Sequence, residues 1–398
     1  MNLIVLIASL GGGGAERMAL RLAKGLNDNM HKTCLITIDG SRDYNDAEST
    51  RLSASSVTWP TILKVFFIPW QKMRLNHIIK NRKIDGVVSF MERANMMNLS
   101  QDLVKNRIIS IRTHSTMMMK AKSPLKRSLV KMGYKRMLNK ARKVVCNSLE
   151  MKLDFEKLYN IDPDKVKVIY NFCDSLLLGK QAKEPIPEDM KQAFKKPVII
   201  TSGRMDNQKG QWHLIKAFKL LCSRFKDLNL IILGKGPLKK MFTKMCCELD
   251  MEDRIFFPGF VQNPFTLISK AKIFILPSLW EGFPNALLEA MAVGTPVIAA
   301  DCSSGPGELL LPETDPRKKT DISVKTPYGI LLPPLEEKIN PLYKKTDRSA
   351  QVIADAVSQM LNDERYLFSC AQGVLERAQD FTPELIVEQW INLIRKTP

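Results

Sequence analysis

Short, mainly apolar runs alternate with segments of helical period, and they do so twice, on either side of a proline- and charge-rich stretch at residues 180–196. In the first series, residues 2–9, 32–38, 86–90, 107–111 and 143–146 have the length and composition of strands buried on both faces. Between the first two, Met18, Leu22 and Leu26 recur on one helical stripe, with Ala19 and Ala23 beside them. The second series predicts strands at 197–202, 229–233, 254–257, 272–277 and 295–299, with helices at 211–225, 237–249 and 284–293. Charged, proline-containing loops are expected near 311–327 and 333–349, then three closing helices at 350–361, 364–379 and 383–396. Strands interleaved with helices make parallel sheets covered on both faces, which is the α/β class. A chain of 398 residues exceeds one ordinary core. The expectation is therefore two doubly wound domains, residues 1–178 and 197–380, a linker at 179–196, and a closing helix at 381–398.

Composition narrows the classes of function. No apolar run approaches the roughly 20 residues that cross a bilayer. The apolar start lacks a basic leader and runs into a glycine loop, so it reads as a first strand, not a secretion signal. Eight cysteines form no CxxC pair and no zinc spacing, and the four histidines are scattered. That predicts free thiols in a reducing cytoplasm and no protein-built metal site. The net charge of +19 is concentrated early: between Asp102 and Glu150 there is no acid, against 13 lysines and arginines. So one-sided a field attracts a polyanion. Residues 120–143, opening on Lys120 and closing on Lys143, put Leu125, Leu129, Met132, Leu138 and Ala141 on one helical face with basic residues flanking it. An anionic membrane surface fits this pattern, as does a core helix with a solvated basic face. Nucleic acid does not, because no stacking aromatics interleave the charges and no recognition motif is present.

Three motifs carry chemistry. Residues 280–295 (WEGFPNALLEAMAVGT) follow a predicted strand. With Pro284 at the first helical position, the free N–H groups of Asn285, Ala286 and Leu287 face a ligand from a positive helix end, which suits a diphosphate. Glu281 in the turn and Glu289 within the helix can accept from hydroxyls at two points of one ligand; spacing alone equally describes a capped surface helix with two solvated acids. Residues 201–210 (TSGRMDNQKG) place a sharp turn at Gly203 and two cations, Arg204 and Lys209, at the carboxyl end of the sheet. A solvated basic turn is the plainer reading. Residues 11–17 (GGGGAER) form a glycine loop in which Gly13 and Gly14 permit close backbone approach to a phosphate or sugar. As a dinucleotide fingerprint the loop is poor, since its third glycine position is Glu16 or Arg17. Asp39 after the second strand keeps a nicotinamide reading open.

Taken together, Gly203, Arg204, Lys209 and Gly210 with Glu281 and Glu289 resemble the nucleotide-sugar half of the retaining family-four glycosyltransferases, of the GT-B fold. The resemblance continues in order through GKG at 234–236, FPGF at 257–260, GTPVI at 294–298 and YGILLP at 328–333. GGAER after the first strand, and His114 in IRTHS, match the family more loosely. The resemblance implies two Rossmann-like domains facing a cleft, with the donor on the second, the acceptor on the first, and the closing helix at 381–398 packing back on the first. It implies that Arg204 and Lys209 neutralise the donor diphosphate, Glu281 contacts donor-sugar hydroxyls, and Glu289 holds the ribose. Asn285, Ala286 and Leu287 would face the diphosphate, and His114 and the glycine loop would reach the donor sugar. No metal or other cofactor is expected beyond the nucleotide-sugar co-substrate, with UDP the default base and GDP the alternative. The expected reaction is retaining transfer of a hexose or N-acetylhexosamine to a membrane-associated, polyprenyl-diphosphate-linked acceptor in surface-glycan synthesis, at the inner face of the cytoplasmic membrane. A nucleotide-sugar epimerase of the same fold, and a non-catalytic glycan or lipid binder, are the rival expectations.

Overall fold

The structure, a computed structural model, describes residues 1–10, 13–39, 50–52, 66–112, 131–132, 135–136, 138–338 and 347–395. The chain divides into two compact units: Met1–Asn171 with Pro383–Pro398, and Phe172–Thr382.

In the first unit seven strands form one sheet: β1 (Asn2–Ile7), β2 (Lys32–Thr37), β3 (Thr50–Arg51), β4 (Gly86–Phe90), β5 (Arg107–Ile111), β6 (Lys143–Cys146) and β7 (Val166–Val168). Their order is β3-β2-β1-β4-β5-β6-β7, and every pair is parallel. Helices cover both faces, so Leu3, Ile4, Val5, Leu6 and Ile7 are all fully buried, which accounts for the unbroken apolar run. The helix Gly14–Asp28 buries Met18, Ala19, Leu22, Ala23 and Leu26, the predicted stripe. The last helix, Pro383–Arg395, also belongs to this unit. It crosses Gly25 so closely that a β-carbon there would lie 2.6 Å from Val387 Cγ2. Its Trp390 ring sits 6.0 Å from that of Phe90, and Asn106 donates 3.0 Å to the Ile394 carbonyl.

The second unit holds β8 (Val198–Ser202), β9 (Asn229–Leu233), β10 (Ile255–Gly259), β11 (Ile273–Leu276), β12 (Val297–Ala300), β13 (Val324–Thr326) and β14 (Gly329–Leu332). The order is β10-β9-β8-β11-β12-β14-β13, parallel throughout except for the antiparallel β13–β14 hairpin at one edge.

Two sequence expectations change. Residues 179–196 are not a linker. Asp174 caps the helix Ser175–Ala182 by accepting 2.8 Å from the Leu177 N–H. Two 3-10 turns follow, with Met190 and Ala193 buried, and the whole stretch belongs to the second unit. Asn229 ties it to the sheet by donating 2.8 Å to the Ala193 carbonyl. A few anchored apolar residues outweigh a composition that reads as solvated. The loop expected at 311–327 also contains the edge strand β13. Of residues 120–143, those at 120–130, 133–134 and 137 lie outside the described residues; Leu138 and Ala141 are buried in the core with Val144 and Phe155, which is the core-helix reading for that part.

A buried charge cluster fastens the helix Arg348–Leu361 to the helix Gln211–Arg224. Lys216, 4% exposed, donates 3.0 Å to Asp347 Oδ2, and the His213 ring lies 3.7 Å from Oδ1. Burial alone would raise the Asp347 carboxyl; the His213 ring, the Ala350 N–H and the Lys216 ammonium outweigh it and hold the group well below the usual carboxylate range. A depressed native value means stability that is present above the unfolded value, near 4, and lost as pH falls towards the native one. Asp347→Asn is therefore expected to lower unfolding stability by about 3 kcal/mol at pH 7. In urea titrations the gap to wild type should shrink below about pH 4; a gap independent of pH would exclude this origin.

Candidate functional site

In an open parallel sheet, ligands bind where the strand order reverses, beyond the carboxyl ends of the strands. The second sheet reverses between β8 and β11, which are hydrogen-bonded neighbours although β9 and β10 intervene in the chain. The loops leaving them are residues 203–210 and 277–284, the two motifs singled out above.

These loops are fastened together. Gly210 has φ +57°, and a β-carbon on it would lie 2.2 Å from the Pro277 carbonyl oxygen. The Leu279 N–H donates 2.8 Å to the Gln208 carbonyl, and Gln208 Nε2 donates 2.9 Å to that of Trp280. Lys209 Nζ donates 2.6 Å to Glu281 Oε1, and Ser278 Oγ donates 2.7 Å to the same oxygen. Glu281 is only 5% exposed, so this is a partly desolvated pair, with Gln208 Nε2 a third donor at 3.5 Å to Oε2. Its own N–H donates 2.9 Å to the Ser303 carbonyl, which brings the loop after β12 into the cluster. The β9 loop closes the other side. At Gly234, with φ +119°, a β-carbon would meet the Gly203 carbonyl oxygen at 2.1 Å.

Lys209 is thus not a solvated basic residue, Arg204 is, and neither stands without a carboxylate. Arg204 is 69% exposed at its side chain and pairs through Nε with Asp206. Asp206 also caps the 3-10 turn Asn207–Lys209 by accepting 3.3 Å from the Lys209 N–H. Asp206, Gln208 and Ser278 were missed by the sequence reading. The signal for two of them is a three-residue spacing: Asp206 before Lys209, a cap, and Ser278 before Glu281.

The helix after β11 differs in detail from the expectation. Pro284 is its N-cap, with ψ 79°, and the helix runs Asn285–Ala292. Two of the three N–H groups expected to be free are engaged: Asn285 donates 3.0 Å to the Phe283 carbonyl and Leu287 donates 2.9 Å to that of Pro284. The tight turn at Pro284 satisfies them locally. At the other end Gly294 (φ +79°) donates to Met291 and Thr295 to Ala290, a Schellman closure that explains the GT pair. Glu289, also 5% exposed, is carried on this helix. Cys302 beneath the cluster is inert: burial first, then the Glu281 charge, pushes its thiol well above the ordinary range.

Gly13 and Gly14 are in the first unit, at the reversal between β1 and β4, where Gly13 precedes and Gly14 opens the first helix. A β-carbon at Gly13 would lie 2.3 Å from Glu16 Oε2. Asp39 is buried and paired with Arg93, which weakens its reading as a ribose partner. His114, Gly11 and Gly12 lie outside the described residues. Among the described residues no group of three or more His, Cys, Asp or Glu is arranged to hold a metal ion, and no helix is long and apolar enough to cross a membrane.

Residues 12–175 match the family model described as Glycosyltransferase Family 4, and residues 183–315 the model described as Glycosyl transferases group 1. An uncharacterized glycosyltransferase of Methanocaldococcus jannaschii is 29% identical over 361 residues, covering 87% of this chain and 86% of that protein. The N-acetylgalactosamine-N,N'-diacetylbacillosaminyl-diphospho-undecaprenol 4-alpha-N-acetylgalactosaminyltransferase of Campylobacter jejuni is 28% identical over 377 residues, covering 91% of this chain and 98% of that one. Among solved structures, sucrose-phosphate synthase from Thermosynechococcus elongatus gives a TM-score of 0.76 at 18% identity, over 100% of this chain and 99% of that one. HepE of Anabaena in complex with UDP gives 0.70 at 17% identity, over 100% of both. At such identities the likeness is one of fold.

Proposed function

Because this chain belongs to the glycosyltransferases of the GT-B fold, with two Rossmann-like doubly wound domains, we propose that it moves a hexose or N-acetylhexosamine from a UDP-sugar to a polyprenyl-diphosphate-linked acceptor, with retention at the anomeric carbon. The observation that carries this reading is the Lys209–Glu281 pair, locked by Ser278 and Gln208 at the reversal point of the second sheet. The Campylobacter relative named for an undecaprenyl-diphosphate acceptor, and the UDP held by a neighbour of the same fold, support the choice of acceptor and base.

In this mechanism the donor diphosphate lies over the loop after β8. Lys209 keeps N–H donors beyond the one given to Glu281, and these meet the phosphate oxygens as charge develops on the departing nucleotide. Arg204, exposed, turns from Asp206 to clamp the same oxygens. Glu281, whose position is set by three donors, presents its remaining lone pairs to donor-sugar hydroxyls, and Glu289 takes the ribose. No metal ion is needed, and the acceptor attacks from the face the leaving phosphate occupies. The first unit, which carries Gly13 and Gly14 at its own strand-order reversal, takes the acceptor. The setting is surface-glycan assembly at the inner face of the cytoplasmic membrane, where the basic stretch at 120–143 adds attraction to anionic lipid.

The test is nucleotide release from a panel of UDP- and GDP-sugars, with and without a polyprenyl-diphosphate-sugar, beside Glu281→Ala. Acceptor-stimulated release from one donor, abolished in the variant, is the expected result. Release of a free epimerised sugar without transfer would make the protein an epimerase; absence of binding to every nucleotide sugar would leave the non-catalytic binder.

A further inference from the structure

The helix Ile68–Asn81 in the first unit is amphipathic in an unusual sense. Its inward stripe, Gln71, Leu75 and Ile79, is buried, with Leu75 and Ile79 in the core under β1 and β2. Its outward stripe begins with large apolar side chains instead of charges. Phe66, just ahead of the helix, is 76% exposed, Trp70 43% and Met73 62%. The spacing 66, 70, 73, 77, 80 keeps these three on one line with His77 and Lys80, opposite the buried stripe. An apolar cluster of this kind, held out on a helix whose core face is already satisfied, marks an interaction surface.

The charge around it says what kind. From Phe66 to Lys83 there are five cations, Lys72, Arg74, Lys80, Arg82 and Lys83, and no acid. Arg74 lies over the Trp70 ring, 5.3 Å from its centroid, so the aromatic and a cation form one unit. A second copy of this same cationic face offers no complement to that charge. An anionic bilayer does: tryptophan settles at the headgroup level, phenylalanine and methionine reach the acyl boundary, and the lysines stay among the phosphates.

We propose that Phe66, Trp70 and Met73, backed by Lys72 and Lys80, dock the first unit on an anionic lipid bilayer. The docking site is on a different element from the basic stretch at 120–143. It deepens the reading of a lipid-linked acceptor and rests on it for its purpose, though not for its test. The full chain would be sedimented with vesicles of phosphatidylcholine alone or mixed with phosphatidylglycerol, while Trp70 emission is compared with that of Trp70→Ser. Wild type is expected to bind the anionic vesicles, with a blue shift that Trp70→Ser lacks. Phe66→Ser/Trp70→Ser/Met73→Ser should bind at least about tenfold more weakly, and Lys72→Gln/Lys80→Gln should lose the preference for anionic lipid. Circular dichroism and melting establish that the variants fold, and UDP-sugar binding on the same samples reports the donor reading separately. Vesicle binding of the triple variant equal to wild type overturns the proposal. So does a concentration-dependent dimer in wild type that the triple variant abolishes while neither protein binds vesicles; the stripe would then belong to a self-contact.

Discussion

Lys209→Met is expected to lower donor turnover by about 10²–10³-fold, while the chain still folds. The methionine keeps most of the lysine stem, which lies over Gly203: a β-carbon there would be 3.2 Å from Lys209 Cδ and Cε. What is lost is the ammonium, and with it the charge that meets the departing diphosphate. Glu281 is left nearly buried with only Ser278 and Gln208 as donors. Removing one partner of such a pair costs about 3–5 kcal/mol, because the other charge stays behind. Stability should therefore fall as well, and that loss must be separated from the loss of chemistry. Glu281→Gln on top of Lys209→Met removes the stranded charge. The double variant is expected to recover most of the melting temperature and none of the turnover. Turnover of Lys209→Met within threefold of wild type would sink the assignment of Lys209 to the diphosphate.

The separation of roles in that cycle depends on an adjacency the sequence does not display. Lys209 and Glu281 are 72 residues apart. Each motif is visible on its own, because a glycine turn after a strand and a proline-opened helix have local signatures. Their meeting is a property of strand order: β11 lies against β8 only because β9 and β10 are laid down on the other side. Nothing in either motif encodes that order. The same limit explains why Arg204 and Lys209 read as free cations, since Asp206 is recognisable as a cap but not as an ion-pair partner.

The strands themselves were legible where both faces are covered. β4, β5, β6 and β9 coincide with the runs that predict them, because the interior of a doubly covered strand admits no solvated residue; Arg107 and Lys143 stand only at the ends of theirs. At the sheet edges that constraint relaxes. β7, reading VKV, and β13, reading VKT, each place a lysine at their centre and resemble loop by composition. They are held by one neighbour each, β6 and β14, so their existence is decided by tertiary pairing instead of local pattern. The linker expected at 179–196 fails for the related reason that two buried residues, Met190 and Ala193, hold a segment made mostly of charged, amide and proline residues.

Gly210→Ala should damage both the second unit's stability and the site. Two penalties coincide there. The left-handed backbone at φ +57° costs a non-glycine residue about 1–2 kcal/mol. The added β-carbon would also lie 2.2 Å from the Pro277 carbonyl oxygen, which is backbone and cannot rotate away. Relief requires the loops after β8 and β11 to part, which breaks the Leu279–Gln208 hydrogen bond and draws Lys209 from Glu281. The expected result is a loss of about 3 kcal/mol in unfolding stability, with donor turnover reduced about as far as in Lys209→Met. Gly179→Ala, where a β-carbon meets nothing within 4 Å, should behave as wild type. Gly210→Asn divides the two penalties, because asparagine tolerates the left-handed region but carries the same β-carbon. If the close approach to Pro277 dominates, Asn and Ala fail alike. Recovery by Asn would mean that the backbone angle alone is at stake, and that the two loops are not held in register by contact at this glycine.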